Sequence, residues 1–164
     1  MGRPAQYFRA GAGAMIVNDE GYVLAIERAD VAGAWQLPQG GLDEDEDPLD
    51  AAYREIAEET GIEKAELEFL RACPEPLVYE LPSEARSKKT GRGQVLYWFL
   101  FHFRGNPRVG TPTRESRGSQ WMPFGRVVDG ATTFRKAMYT RLAQEFADYL
   151  ETRTKDLRTK DAIS

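Results

Sequence analysis

The chain has 164 residues, 41% of them hydrophobic, and a formal net charge of −4, enough for one domain with an adequate core. A pI near 5.2 argues against broad electrostatic attraction to nucleic acid. The lone cysteine, Cys73, allows no internal disulfide, and no apolar run is long enough to span a bilayer. With no apolar signal region at the start, and Gln at position six where myristoylation needs Ser or Thr, the expectation is a soluble, cytoplasmic protein.

In chain order, Ala12 to Val17 and Tyr22 to Ile26 are short apolar runs parted by Asn18-Asp19-Glu20-Gly21, which predicts a hairpin. Trp35-Gln36-Leu37 reads as a short strand before Pro38. A helix follows: Asp47 can cap it, Pro48 fits its first position and Gly61 can end it in a left-handed turn. Strands are predicted over Glu66 to Leu70 and Leu77 to Leu81, then a polar, basic, mobile loop from Pro82 to Gly93. Gln94 to Phe103 is almost continuously apolar, as in a strand buried on both faces. A second loop runs from Asn106 to Gly118. Met138, Leu142, Phe146 and Tyr149 then have helical spacing, so Thr133 to Tyr149 is predicted to pack as an amphipathic helix. Residues 151–164 are polar and read as a frayed tail. No repeat, linker or second domain interrupts residues 1–164.

The chemistry concentrates between Gly40 and Ile62. Glu55, Glu58 and Glu59 stand at i, i+3 and i+4 and share one helical face. Carboxylates held together repel unless something positive lies between them, and an all-oxygen set suits Mg²⁺ or Mn²⁺ better than zinc. Leu49, Ala52, Tyr53 and Ile56 form the buried stripe beside them, and Arg54 on the other flank can neutralise Glu46 or another acid. A solvated acidic helix would explain Glu44 to Asp47. It would not explain Gly40-Gly41 followed by a glutamate triad at the rim of an apolar stripe.

The pattern Gly40-x5-Glu46-x7-Arg54-Glu55-Ile56-x-Glu58-Glu59-x-Gly61-Ile62 resembles the signature of the Nudix hydrolases at every fixed position. That resemblance implies an α/β fold, a mixed β-sheet sandwiched between α-helices. It also implies metal-dependent hydrolysis of a nucleoside diphosphate linked to another group. Mg²⁺ or Mn²⁺ would be held by Glu55, Glu58 and Glu59 with the Gly40 carbonyl, and Arg54 belongs to the same catalytic set. Trp35-Gln36-Leu37-Pro38-Gln39-Gly40-Gly41 looks like the entry segment of RNA 5′-pyrophosphohydrolases and diadenosine tetraphosphate hydrolases. Leu77-x-Tyr79-x-Leu81-Pro82, Gly93-Gln94 with Trp98-Phe99-Leu100, and Phe134-Arg135-Lys136 with Tyr139 are similar to later stretches of that subgroup. The chain departs from it at Leu96 and Tyr97, where polar residues are usual. It departs again after Glu115, where Ser116 follows and Trp121 stands alone.

By the same resemblance, Glu115 reaches the metals or activates water; the alternative is an ordinary loop acid. Arg9 and Arg28 bind phosphate, or else form exposed salt bridges. Tyr79 and Phe134 stack on a base or belong to the core. Arg135 and Lys136 hold a distal phosphate or cover the start of the last helix, and Tyr139 lies in the same substrate-binding stretch. The general base is a helix glutamate or Glu115. His102, with no acid beside it in sequence, reads as a core histidine. Trp35 reads as packing against the core, and Lys88 and Lys89 as solvated loop. The implied substrate is a dinucleoside polyphosphate or a 5′-triphosphate RNA end. Alternatives are damaged nucleoside triphosphates, ADP-ribose, nucleotide sugars, or a non-catalytic nucleotide sensor. No membrane and no stable protein partner are implied.

Overall fold

In the computed structural model, residues 6–105, 116–148 and 150 are described. The sheet grows from two strands. β1 (Phe8–Val17) and β7 (Gly93–Phe103) run parallel in unbroken register from Phe8 opposite Gly93 to Val17 opposite His102. β2 (Val23–Arg28) and β3 (Trp35–Gln36) extend one side and β5 (Leu67–Ala72) the other, giving the order β3-β2-β1-β7-β5. β4 (Gln39–Gly41) pairs with β1, β6 (Leu77–Glu80) with β7, and β8 (Ser116–Met122) with β2. All of these other pairs are antiparallel, so the sheet is mixed.

Alternation along the two central strands builds two cores, because successive side chains leave a strand on opposite faces. Met15, Val17, Leu96, Trp98 and Leu100 pack on one face with Phe124 and Val127 of α2 (Phe124–Asp129) and Met138, Tyr139 and Leu142 of α3 (Thr133–Glu145). Ala12, Ala14, Ile16, Phe99 and Phe101 pack on the other with Ala51, Ala52 and Ile56 of α1 (Pro48–Thr60). The sheet therefore lies between helices, as expected. Close approach of β1 to β7 depends on small residues: a Cβ at Gly13 would overlap the Trp98 ring.

Several expectations are corrected. The predicted β1–β2 hairpin forms around a turn at Asn18 to Tyr22 but pairs in register only at Val17 and Val23, with β4 taking the same edge of β1 from Gly11 to Gly13. β7 is not buried throughout, for Tyr97 is 38% exposed on the α1 side. Glu66 belongs to a short 3₁₀ turn (Lys64–Glu66), and another (Ser83–Ala85) interrupts the predicted loop after β6. Ser116 to Gly118 begin β8 instead of ending a loop. α3 stops at Glu145, and Tyr149 lies outside the described residues. No helix among the described residues is long and apolar enough to cross a membrane.

Candidate active site

α1 begins where its sequence says. Asp47 accepts a hydrogen bond from the Leu49 N–H at 2.9 Å, Pro48 opens the helix, and Gly61 closes it with φ of 76°. This places Glu55 and Glu59 beside buried Ile56, at 8% and 7% exposure, with Ala51 and Ala52 anchoring the same face. β4 lies directly against them. A Cβ at Gly40 would collide with the Glu55 carboxyl group, so only glycine lets that carboxylate lie on the backbone. The Gln39 N–H donates to Glu59 Oε2 at 3.2 Å.

Arg54 ties the loop after β4 to the helix. Its guanidinium donates to both Glu46 oxygens at 2.9 and 2.8 Å, to Glu55 Oε1 at 2.8 Å and to the Gly41 carbonyl at 2.8 Å. It also reaches Glu58 at 3.3 Å and Asp43 at 3.4 Å. Glu46 accepts the Asp43 N–H as well, and its pKa falls to about 2, first through the Arg54 hydrogen bonds and then through that backbone bond. Arg54 is held more firmly protonated by the Glu46 hydrogen bonds.

The glutamate triad is not one cage. Glu55 and Glu59 turn inward, whereas the Glu58 side chain is 58% exposed and leans on Arg54. Among the described residues, no group of three or more His, Cys, Asp or Glu side chains is arranged to hold a metal ion. Positive charge between the carboxylates comes here from Arg54. The donors still fit a hard divalent cation: two buried carboxylates lie at a backbone that a Cβ would block, with no sulfur or imidazole among them.

A second cluster lies on the α3 side of the sheet. The Tyr79 and Phe134 rings are 5.5 Å apart at 31°, and the Arg135 guanidinium lies 5.4 Å from one centroid and 4.8 Å from the other. Tyr79 is 6% exposed, and its hydroxyl donates a short hydrogen bond to Gln94 Oε1. Lys136 is exposed at the start of α3. Arg9 is exposed on β1, with Nη2 3.4 Å from where a Gly41 Cβ would stand. Arg28 is engaged by Asp30 through contacts of 2.9 and 2.5 Å, the salt-bridge alternative.

Two expectations change and one lies beyond reach. Tyr139 is fully buried and its hydroxyl accepts the Leu37 N–H at 3.1 Å, so it fastens the strand entry instead of facing a substrate. Burial raises its pKa to about 12. His102 does meet acids, at 2.7 Å from Asp19 and 3.7 Å from Glu68, brought together by neighbouring strands and a turn. Glu115 lies outside the described residues. Sequence reasoning passed over Gln39 and Gln94 as site residues. For Gln94 the signal was a polar side chain at an inward position of an apolar strand, whereas Gln39, in a strand of three residues with two glycines, had none.

Buried Glu55 and Glu59 thus lie beside a glycine loop that Arg54 ties to α1, on a mixed sheet between helices, and the class this matches is the hydrolases acting on phosphoric anhydrides. The chain belongs to the Nudix family: the model of the NUDIX domain matches residues 7–142. An RNA pyrophosphohydrolase of Sphingopyxis alaskensis is 37% identical over 85% of this chain and 92% of its own. Nudix hydrolase 26, chloroplastic, of Arabidopsis thaliana is 34% identical over 92% of this chain and 74% of its own. In fold, the Ap4A hydrolase of C. elegans superposes with a TM-score of 0.68 at 22% identity, covering 88% of this chain and 98% of that one. Nudix hydrolases generally require divalent metal ions.

Proposed function

We propose that this chain hydrolyses a phosphoanhydride bond of a nucleoside 5′-polyphosphate, with diadenosine tetraphosphate or a 5′-triphosphate RNA end as the best substrate. The observation that carries this reading is the pair of buried carboxylates, Glu55 and Glu59, on the same small domain as an aromatic–arginine cluster. One group suits the polyphosphate and the other a base. The similarity to an RNA pyrophosphohydrolase supports the same choice, and a cytoplasmic setting accords with it.

Glu55, Glu59 and the Gly40 carbonyl would hold Mg²⁺ or Mn²⁺, with Glu58 turning in from its exposed position and Glu115 as a further ligand. Bound there, the cation supplies charge neutralisation on the phosphates and a more acidic water. Arg54 keeps the glycine loop against α1, so that Glu55 stays over Gly40. A helix glutamate or Glu115 takes the proton of the attacking water. Arg9 contacts phosphate over β4, Arg28 does so on release from Asp30, and Arg135 and Lys136 hold the distal end. Half-buried Phe134 offers its ring to the base, with the buried Tyr79 ring packed behind it.

A screen of 5′-triphosphate RNA, diadenosine polyphosphates, nucleoside triphosphates, ADP-ribose and nucleotide sugars tests this, with products identified. Turnover should vanish with EDTA, return with Mg²⁺ or Mn²⁺, and be greatest on the first two classes. Full activity without metal, or a nucleotide sugar with far higher kcat/KM, would overturn it.

A further inference from the structure

Gln94 and Gln39 are polar side chains buried to 9% and 8% exposure, and neither takes part in the chemistry derived above. In strand register Gln94 stands between Tyr79 of β6 and Arg9 of β1, while Gln39 of β4 stands opposite Gly13. Gln94 Oε1 accepts from the Tyr79 hydroxyl and, at 3.5 Å, from Gln39 Nε2. The main-chain N–H of Gln39 in turn donates to Glu59 Oε2. An unbroken chain of contacts therefore runs from the stacked ring to the buried carboxylate. It has a cost: Gln39 Oε1 is buried with no hydrogen-bond partner. An orphaned buried acceptor is unfavourable, and a core built for stability alone would have an apolar residue there.

We propose that Gln94 is a positioning residue that couples the base cluster to the metal-side carboxylate, setting the Tyr79 ring and, through Gln39, the Glu59 oxygen that would face the cation. This rests on the assignment of Glu59 to the metal and Tyr79 to the base. Gln94 touches neither the phosphate nor the cation. It acts by fixing two groups that do, as outer-sphere partners fix metal ligands.

The test measures Mn²⁺ affinity by calorimetry without nucleotide, alongside KM and kcat on diadenosine tetraphosphate. Gln94→Met keeps the side chain's size and removes its acceptor. It should weaken Mn²⁺ binding about tenfold, the usual scale for an outer-sphere partner, and raise KM as well. Tyr79→Phe keeps the ring and removes the hydroxyl, so it should shift both quantities in the same direction by less. Adding it to Gln94→Met should change nothing further, because the hydroxyl acts through Gln94. Strictly additive effects in the double variant would overturn the coupling, and so would wild-type Mn²⁺ affinity in Tyr79→Phe, even if Gln94→Met were poorly folded. If Glu59→Gln weakens Mn²⁺ binding and Tyr79→Ala raises KM while Gln94→Met is silent, the coupling alone fails. If Glu59→Gln keeps full Mn²⁺ affinity, or Tyr79→Ala keeps the wild-type KM, the coupling falls together with that half of the functional reading.

Discussion

Arg54 has Asp43, Glu46, Glu55 and Glu58 within salt-bridge reach and also donates to the Gly41 carbonyl. One guanidinium thus serves as counter-charge and as clasp, which its planar fork allows and an ammonium would not. Glu46 is the partner whose ionisation records the clasp. Its folded pKa, about 2, lies below the ordinary value of 4.5. A depressed carboxylate pKa means the stabilisation is complete above the ordinary value and is lost as pH falls through the folded one. Glu46→Gln should therefore be less stable than wild type at neutral pH. The difference should shrink below about 4.5 and close near about 2. Urea unfolding of both proteins across that range checks it, and a gap independent of pH would exclude the clasp. At Gly40 the expected damage is to function. The Cβ of Gly40→Ala meets the far end of the Glu55 side chain, which can swing away without unfolding α1. Far-UV circular dichroism should be unchanged, while kcat/KM falls on the order of a hundredfold, as when one key electrostatic group leaves a site.

Among the elements, α1 was the most legible, because its signals are local. Asp47, Pro48 and Gly61 mark its ends and the apolar stripe marks its buried face, all within one short stretch. Asp47→Ala should remove a single capping bond and cost about 1 kcal/mol in thermal or chemical unfolding. A change within error would mean that Pro48 and the loop clasp alone fix the helix start. β4, β8 and α2 were not legible. β4 has three residues, two of them glycine, and exists because Gly11, Ala12 and Gly13 of β1 lie opposite. β8 reads SRGSQWM, a polar run that becomes a strand through its pairing with β2. The glutamate triad was half legible. The spacing puts three carboxylates on one side, but a helix turns about 100° per residue, so Glu58 and Glu59 diverge by that angle. Glu59 follows Glu55 inward, and Glu58 goes to solvent and Arg54. The contact between Tyr79 and Phe134, and that between Gln39 and Gln94, join elements far apart in sequence, and only the resemblance brought the aromatic pair into view.

At the scale of the whole molecule, the two cores share their strands. Leu96, Trp98 and Leu100 leave β7 toward α2 and α3, while Phe99, Phe101 and Phe103 leave it toward α1. Neither face can lose its packing and leave the other on an intact sheet, so the fold should behave as one cooperative unit. Trp98 is the sharpest probe of this. It is 1% exposed, contacts Tyr139 edge-on at 6.2 Å, and fills the space that Gly13 leaves open. Trp98→Ala empties that space and should cost about 3–5 kcal/mol, the usual range for an aromatic residue lost from a packed core. Trp98 lies across the sheet from α1, so its loss should reach Glu55 and Glu59 only through global unfolding. In urea, the far-UV signal and hydrolytic activity of Trp98→Ala should fall together, at a lower midpoint than wild type. Activity lost well before the far-UV signal would show that the α1 side opens by itself, and that the β1–β7 seam does not bind the two cores into one.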